Sequence, residues 1–594
     1  MSHYRSNLAD LEFNLFEVHH IDQHLDRWAG MDRTTVMDLL RELDRFARED
    51  WAASFVEADR TPLVLDNGEV RLPQGLKDSL AKGHEAGWTR LGAPEDLGGF
   101  EVPPTVFWAT QELLLGANPT AVFYGGGALF ARVVHEEGTP SQRELARMMV
   151  EKNWGGTMVL TEPDAGSDVG AGTTKAVHVD GLTYHLEGVK RFITSGEHDA
   201  AENIVHLVLA RPEGAGPGTK GLSLFIVPKY LVDEDGTLGE RNGVVATGVE
   251  KKMGLKGSTT CELTFGMERP AVGYLLGGVH DGIRQMFRVI EHARMTIGTK
   301  SAATLSTGYL NALEYARERV QGPDMAQMTD KTAPRVRIIR HPDVRRMLMT
   351  QKAYAEGLRS LWMYAAWCQD MALLEPEAGW DKRVDLLLPL VKGYSSEKAY
   401  ELLATSLQVL GGSGFLQDYP IEQYIRDAKI DTLYEGTTGI QAMDLFFRKI
   451  ARDRGQTLAA VASDITEFVK GGAEGDPLAE ERALLGKVID DVQAQLGLMV
   501  EDLMAAMEGQ ATRIYEVGLH TNALLESMAE VVIAWQLLVH AEIALPEADA
   551  SPFHRGMVAS ARFFIRDVAA AVAARRQATA EEDGSLMELP EEAF

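Results

Sequence analysis

Between residues 156 and 278 the chain changes from helical to strand-like patterning, and after residue 280 it changes back. The flanking stretches repeat apolar residues at spacings of three and four, as amphipathic helices do. The middle stretch has short alternating runs bounded by turn residues, at 158–160, 183–187, 204–209, 222–227, 243–249 and 261–265. The sequence therefore predicts a multidomain α+β protein in which a small β-barrel or sandwich lies between helical regions.

With 594 residues, the chain is long enough to build several hydrophobic cores. The glycine-rich string KGGAEG at 470–475 is a linker candidate. We expect four domains: an N-terminal helical domain (1–155), a middle β domain (156–279), a C-terminal helical bundle (280–452) and a further helical extension (453–594).

Charge and cysteine content exclude several classes of function. The net charge of −28 argues against a nucleic-acid partner and against attraction to anionic lipid. The two cysteines, Cys261 and Cys368, are far apart, which argues against a disulfide scaffold or a thiolate metal site. The N-terminus has no signal-peptide pattern, and the most apolar stretch, 528–545, contains several polar residues, so we expect no membrane span. The sequence predicts a cytoplasmic protein without a metal site.

One acid stands out in the segment 406–441. A helical run of leucines stops at Gly411 and Gly412, and a mostly apolar stretch then leads to Glu435 and Gly436. Burial in an apolar loop raises the pKa of a glutamate above its ordinary value, which makes it a stronger base. The alternative is an acid that interacts with the dipole of the following helix.

Two earlier segments offer groups suited to a flat, phosphate-bearing ligand. The string MVLTEPDAGS at 158–167 ends a strand in a turn that carries the hydroxyls of Thr161 and Ser167. In KRFITS at 190–195, Phe192 and Thr194 fall on one face of a strand, where a ring could pack on the ligand while a hydroxyl binds its edge. Each segment alone also fits an ordinary strand.

Taken together and in this order, these segments resemble the acyl-CoA dehydrogenase family of flavoproteins. The resemblance rests on six strings between residues 158 and 441: LTEPDAGSD, KRFITS, KMGLKGSTTCEL, LGGSGF, DYPIEQYIRDAKI and LYEGTT. The C-terminal extension is similar to that of the large members. The chain looks most like the bacterial fatty acyl-CoA dehydrogenases of broad chain-length range.

The resemblance implies FAD as cofactor, bound between the barrel and the second helical domain. It assigns backbone contacts with the flavin ring to Met158, Val159, Leu160 and Thr161, and places Phe192, Ile193 and Thr194 beside the ring and Ser167 at the edge shared by flavin and acyl-CoA. It assigns Arg319, Gln408, Gly411, Gly412 and Thr437 to the phosphate and adenosine part of FAD. Much of that FAD would belong to a neighbouring subunit, so the resemblance implies a homodimer or larger homo-oligomer.

The family reaction converts a fatty acyl-CoA to a trans-2-enoyl-CoA in fatty acid β-oxidation. By resemblance, Glu435 removes the α proton, flavin N5 takes the β hydride, and the thioester oxygen is bound by the flavin ribityl 2′-hydroxyl and the backbone N–H of Glu435. Some members carry the base on the long helix instead, but that position is Ala293 here. The other expected acyl-CoA contacts are Ser167, Glu291, Arg294 and Gly436.

The expected electron acceptor is an electron-transfer flavoprotein. A close alternative is a 3-methylthiopropanoyl-CoA dehydrogenase, which shares this size and extension. A third hypothesis is a non-catalytic relative that binds flavin and DNA, but the net charge and Glu435 argue against it. For the extension, packing against the rest of the protein and peripheral membrane contact are both open.

Overall fold

The computed structural model describes residues 2–233 and 235–594. The α-helices are α1 (Leu8–Glu12), α2 (Arg33–Phe46), α3 (Phe55–Arg60), α4 (Gln74–Glu85), α5 (Pro104–Ala117), α6 (Pro119–Tyr124), α7 (Gly127–Glu137), α8 (Pro140–Glu151), α9 (Gly282–Glu318), α10 (Pro342–Leu374), α11 (Trp380–Pro389), α12 (Ser395–Leu410), α13 (Ile421–Ala428), α14 (Thr438–Met443), α15 (Gln456–Lys470), α16 (Ala479–Met507), α17 (Arg513–Ala544), α18 (Pro552–Glu581) and α19 (Ser585–Glu588). The strands are β1 (Leu65–Asp66), β2 (Glu69–Val70), β3 (Gly155–Val159), β4 (Lys175–Asp180), β5 (Thr183–Thr194), β6 (Ile204–Pro212), β7 (Ser223–Pro228), β8 (Tyr230–Val232), β9 (Leu238–Arg241), β10 (Val244–Val249), β11 (Thr260–Phe265), β12 (Ala271–Leu275), β13 (Val320–Pro323) and β14 (Arg335–Arg337). The predicted order of helical, β and helical regions is confirmed.

The described chain forms two compact units. The first contains residues 2–4 and 26–293, and the second contains residues 5–25 and 294–594. The N-terminal segment belongs to the second unit because α1 places the buried Asp10 against the buried guanidinium of Arg359 in α10, where the two form a salt bridge. A buried charge needs such a partner, so this pair fixes the segment to its unit.

The middle region of the first unit is a closed barrel. Strands β5, β12, β7 and β6 are neighbours in antiparallel order, and β4 pairs with both β5 and β6, which closes the ring. Strands β11 and β10 extend the sheet from β5, and β3 pairs in parallel with β6, with Val159 opposite Val208. The pairing of β4 with two strands decides between the barrel and the sandwich that the sequence left open.

Strand β6 has apolar neighbours on both faces. Val208 and Ala210 belong to the barrel core, whereas Val205, Leu207 and Leu209 face a second core that includes Met149 and Trp154 from the helical side. Alternate side chains of a strand point to opposite faces. Because both faces of β6 are covered, its sequence is a nearly continuous apolar run.

In the second unit, α16, α17 and α18 pack against one another, and α17 also packs against α10 and α14. The stretch Arg513–Glu547 is long and apolar enough to cross a membrane, but 72% of its most apolar window is buried inside the protein. Its polar side chains Glu530, Gln536 and His540 are buried as well. In the described residues this is the only stretch that meets the length and composition test for a membrane span.

Candidate active site

Glu435 lies in a tight turn just before α14. Glu435 and Gly436 have φ values of 57° and 88°, in the left-handed region that residues other than glycine rarely occupy. The Thr437 hydroxyl accepts a hydrogen bond from the backbone N–H of Ile440 at 3.4 Å, so Thr437 is the N-cap of α14. The carboxylate of Glu435 is therefore not used to cap the helix. We call residues 434–437 the Glu435 turn.

Burial and two neighbouring cations change the pKa of Glu435 in opposite directions. Burial raises the pKa of Glu435 to about 7, against the opposing positive charges of Lys392 and Arg294. Among the residues that the structure describes, none forms a salt bridge with this carboxylate. The guanidinium of Arg294 pairs instead with Asp444 at 2.7 Å. A carboxyl group that titrates near neutral pH can accept a proton from a weak carbon acid more readily than an ordinary glutamate can.

The backbone of the Glu435 turn is bound by two side chains. The buried Lys392 donates a hydrogen bond from Nζ to the carbonyl oxygen of Gly436 at 2.5 Å. Gln441 donates from Nε2 to the carbonyl oxygen of Glu435 at 2.9 Å. Burial lowers the pKa of Lys392 to about 8, although Asp431 and Glu435 oppose this change. These contacts stabilise a backbone conformation that is otherwise unfavourable.

A second buried ion pair fixes the chain that leads into the turn. Lys300 of α9 contacts both oxygens of Asp431, at 2.6 and 2.7 Å, and both side chains are fully buried. The Tyr434 hydroxyl donates to Asp431 at 2.8 Å. Our sequence reasoning missed Lys300, Asp431 and Lys392. The available signal was a lone lysine in the apolar run LLLPLVKGY at 386–394, because a charge in such a run is usually buried and paired.

The structure brings the two predicted flavin segments together on the first unit. Lys190 donates from Nζ to the carbonyl oxygen of Leu160 at 2.8 Å, and the backbone N–H of Arg191 donates to the carbonyl oxygen of Thr161 at 2.8 Å. Met158 and Leu160 are partly buried, whereas the Val159 side chain is fully buried in the barrel core. Val159 therefore has only backbone groups to offer a ligand.

Phe192 lies in a bulge that the sequence did not predict. Cys261 pairs with Ile193, but the next pair joins Leu263 to Lys190, so two residues of β5 stand opposite one residue of β11. Phe192 adopts a φ of 60°, and its side chain is 55% exposed. A large exposed aromatic ring beside strand-end backbone groups fits a flat heteroaromatic cofactor such as a flavin.

Of the five residues predicted for the other part of FAD, Thr437 is half-buried and the other four lie on the surface of the second unit. Arg319, Gln408, Gly411 and Gly412 are all exposed. The Tyr315 hydroxyl donates to the Ser413 hydroxyl at 3.2 Å. This bond joins the end of α9 to the short turn Gly411–Phe415. Apart from the adjacent residues, no heavy atom of the described chain would lie within 4 Å of a Cβ at Gly411 or Gly412. Of the predicted substrate contacts, Ser167 and Glu291 are exposed and Arg294 is buried.

In residues 2–233 and 235–594 there is no group of three or more His, Cys, Asp or Glu side chains that could bind a metal ion. Cys261 and Cys368 are buried free thiols.

Three family profiles match the chain: "Acyl-CoA dehydrogenase, middle domain" at 157–267, "Acyl-CoA dehydrogenase, C-terminal domain" at 280–448 and "Acetyl-CoA dehydrogenase C-terminal like" at 461–590. The chain is 55% identical to the broad-specificity linear acyl-CoA dehydrogenase FadE5 of Mycobacterium tuberculosis, over 100% of both chains. The protein belongs to the acyl-CoA dehydrogenase family. The family resemblance stated from the sequence is thereby confirmed, and this acyl-CoA dehydrogenase is an FAD-dependent oxidoreductase that acts on the CH–CH bond of acyl-CoA.

This acyl-CoA dehydrogenase has other full-length relatives. It is 33% identical to the 3-methylmercaptopropionyl-CoA dehydrogenase of Ruegeria pomeroyi, over 98% of this chain and 99% of the relative. Its fold is similar to that of the acyl-CoA dehydrogenase from Bacillus anthracis solved with FAD, with a TM-score of 0.74 at 20% identity, over 95% of this chain and 92% of the other.

Proposed function

We propose that Glu435 removes the α proton from a linear fatty acyl-CoA, which leaves as the trans-2-enoyl-CoA. The observation that carries this proposal is a carboxylate with a pKa near 7, without a salt-bridge partner among the described residues, on a turn bound by Lys392 and Gln441. An α C–H beside a thioester is a weak acid. Its proton can leave only if the base is positioned and the negative charge that develops on the thioester oxygen is stabilised.

Glu435 contributes twice to this step. Its carboxylate accepts the proton, and its backbone N–H donates a hydrogen bond to the thioester oxygen as negative charge develops there. The buried Arg294, paired with Asp444, keeps a positive charge near the carboxylate and favours its ionised form before the reaction. Ser167, Glu291 and Gly436 complete the proposed acyl-CoA contacts.

The cofactor-binding roles are assigned to surfaces on both units. FAD held there would supply the acceptor for the hydride of the substrate β carbon. Met158, Val159, Leu160 and Thr161 bind the flavin through backbone groups, with Phe192, Ile193 and Thr194 beside the ring and Ser167 at its edge. Arg319, Gln408, Gly411, Gly412 and Thr437 bind the phosphate and adenosine part of FAD. Because the first four are exposed, we propose that they serve the FAD of a neighbouring subunit in a homodimer or larger assembly.

Linear fatty acyl-CoAs of broad chain length are the proposed substrates, because the full-length relative at 55% identity is named a broad-specificity linear acyl-CoA dehydrogenase. The alternative is 3-methylthiopropanoyl-CoA, supported by the more distant relative at 33% identity. We propose a cytoplasmic enzyme that passes electrons to an electron-transfer flavoprotein. Anaerobic titration with saturated acyl-CoAs of increasing length, and with 3-methylthiopropanoyl-CoA, distinguishes the substrates. Flavin bleaching by long acyl chains supports the first, and bleaching by the sulfur compound alone supports the second.

The base assignment is tested with the Glu435→Gln variant. We expect it to retain FAD and to reduce its flavin about 10³–10⁴-fold more slowly than the wild type, because a positioned base is lost. Stopped-flow absorbance under anaerobic conditions measures this rate. Glu401→Gln is the control, since Glu401 is an exposed acid paired with Lys398 on the surface. Near-normal flavin reduction in Glu435→Gln would remove Glu435 as the base.

A further inference from the structure

A π-helical turn, Leu390–Tyr394, lies between α11 and α12, and all five of its residues are buried. Such a turn inserts an extra residue into a helix and is frequent at functional sites. Three consecutive residues of this turn contact three different parts of the second unit. Lys392 contacts the Glu435 turn, Gly393 packs against α14 and α17, and Tyr394 binds a side chain of α17.

The contact of Lys392 is made to the residue directly after the base. Its Nζ donates to the carbonyl oxygen of Gly436, and the Lys392 side chain has no exposed surface. Glu435 and Gly436 both have left-handed backbone angles, and such a conformation persists only where surrounding contacts fix it. A displacement of this carbonyl would also displace the carboxylate of Glu435.

The C-terminal extension fixes the other side of the π turn. The Tyr394 hydroxyl donates to Oε1 of Glu530 at 3.0 Å, and both side chains are buried. Arg575 of α18 contacts the two carboxylate oxygens of Glu530 at 2.7 and 2.9 Å. A Cβ on Gly393 would come within 3.2 Å of both Leu525 in α17 and Gln441 in α14. The extension is therefore packed against the turn with no spare room.

We propose that the C-terminal helical extension positions the catalytic base through this π turn, with Lys392 as the positioning residue and Tyr394, Glu530 and Arg575 as its support. The inference rests on the proposed role of Glu435. On this proposal the C-terminal extension contributes to the rate of dehydrogenation, and does not only pack against the rest of the second unit.

The charged and titratable groups around Glu435 define what a pH profile would report. They are Lys392 on the π turn, Arg294 on α9 with its partner Asp444, Tyr434 and Asp431 on the preceding segment with Lys300, and Glu397 on α12. Of these groups, Lys392 and Arg294 lower the pKa of Glu435. Removing Lys392 alone should therefore move the acidic limb of the kcat/KM profile to higher pH.

The first test uses the FAD-loaded full chain with Lys392→Met and Lys392→Gln. We expect Lys392→Met to lower kcat about 10²-fold with little change in KM, because a base displaced by about 1 Å loses that much rate. Lys392→Gln keeps a neutral donor, so we expect partial recovery of kcat but the same upward displacement of the pH profile. A wild-type kcat and pH profile in both variants would overturn the role of Lys392.

The second test separates the π turn from general packing of the extension, and it needs only the loss of one hydroxyl. Tyr394→Phe removes the bond to Glu530. Tyr354→Phe removes a bond of the same length, 3.0 Å, between α10 and Asp567 of α18, and it leaves the bond between Tyr394 and Glu530 in place. We expect kcat to fall about tenfold in Tyr394→Phe and to stay within about twofold of the wild type in Tyr354→Phe.

Equal activity of the two tyrosine variants would overturn the proposed support by the extension, even if Lys392→Met failed to fold. The base assignment is judged separately. An inactive Glu435→Gln together with unaffected Lys392 and Tyr394 variants would keep Glu435 as the base and reject only the coupling. An active Glu435→Gln would reject both.

Discussion

Each unit contains a glutamate beside a buried lysine, but the pKa of one glutamate is lowered and the pKa of the other is raised. In the first unit, Glu162 forms a salt bridge with Lys190 at 2.9 Å and accepts backbone hydrogen bonds from Thr173 at 2.6 Å and Thr174 at 3.0 Å. Although burial opposes it, the Lys190 charge and these hydrogen bonds lower the pKa of Glu162 to about 2. At neutral pH the carboxyl group of Glu162 is therefore ionised.

In the second unit, the ammonium group of Lys392 binds the carbonyl oxygen of Gly436 rather than the carboxylate of Glu435. Burial then raises the pKa of Glu435 to about 7. The comparison shows that burial beside a lysine does not by itself decide the state of an acid. What decides it is which acceptor receives the lysine hydrogen bond, because a direct ion pair compensates for lost hydration and a more distant charge does so only in part.

The largest expected effect is on stability. Glu162→Gln leaves Lys190 buried without its ion-pair partner, so we expect the free energy of unfolding to fall by about 3–5 kcal/mol. Glu435→Gln removes a carboxylate that has no salt bridge to any residue in the described part of the chain, so we expect no loss. Thermal and urea unfolding of the FAD-loaded proteins measure both. Equal destabilisation of the two variants would contradict the distinction between the two acids.

The second expected effect is that the contributions of Glu162 and Glu435 to folding stability depend on pH in different ways. The stabilisation from Glu162 is fully present above its unfolded pKa, whose ordinary value is 4.5, and is lost as the pH falls toward the folded value of about 2. For Glu435 the folded pKa is higher than 4.5, so its cost to stability grows as the pH rises from 4.5 to about 7. Each effect amounts to at most about 3.5 kcal/mol.

Melting temperatures of the wild type and both glutamine variants, measured from about pH 3 to pH 8, test these signs. The advantage of the wild type over Glu162→Gln should shrink as the medium becomes more acidic. The wild type should lose stability relative to Glu435→Gln between pH 4.5 and about 7. The two differences in melting temperature between the wild type and each variant should change in opposite directions with pH. A change in the same direction would show that the pKa values of Glu162 and Glu435 are not shifted in opposite directions.

The smallest expected effect concerns one hydroxyl group. Thr173 donates from its side chain to Oε2 of Glu162 at 3.0 Å. Thr173→Val removes this bond to a charged group and should cost about 1.5 kcal/mol of stability, whereas Thr173→Ser keeps the hydroxyl and should cost less. Urea midpoints compare the two variants. A greater loss in Thr173→Ser would show that the methyl group, and not the hydrogen bond, is what Glu162 needs.

Local strings were enough to find much of the candidate site. Glu435, the segment 158–161 and the segment 190–195 were identified because turn glycines, strand-end hydroxyls and an acid in an apolar loop are visible in the order of residues. The bulge at Phe192 was not, since it depends on the pairing of β5 with β11. Lys392 and Asp431 were missed because their roles depend on partners 44 and 131 residues away.

The sequence by itself determined the α+β class and the family, and it singled out Glu435 as the candidate base, because these follow from periodicity and short motifs that act locally. Tertiary structure alone decided that β4 closes a barrel, that residues 5–25 belong with the second unit, and that Glu162 is an ion-pair member while Glu435 is not. The reason is physical: the charge state of a buried group depends on which atoms lie within a few ångströms of it, and folding brings those atoms from distant parts of the chain.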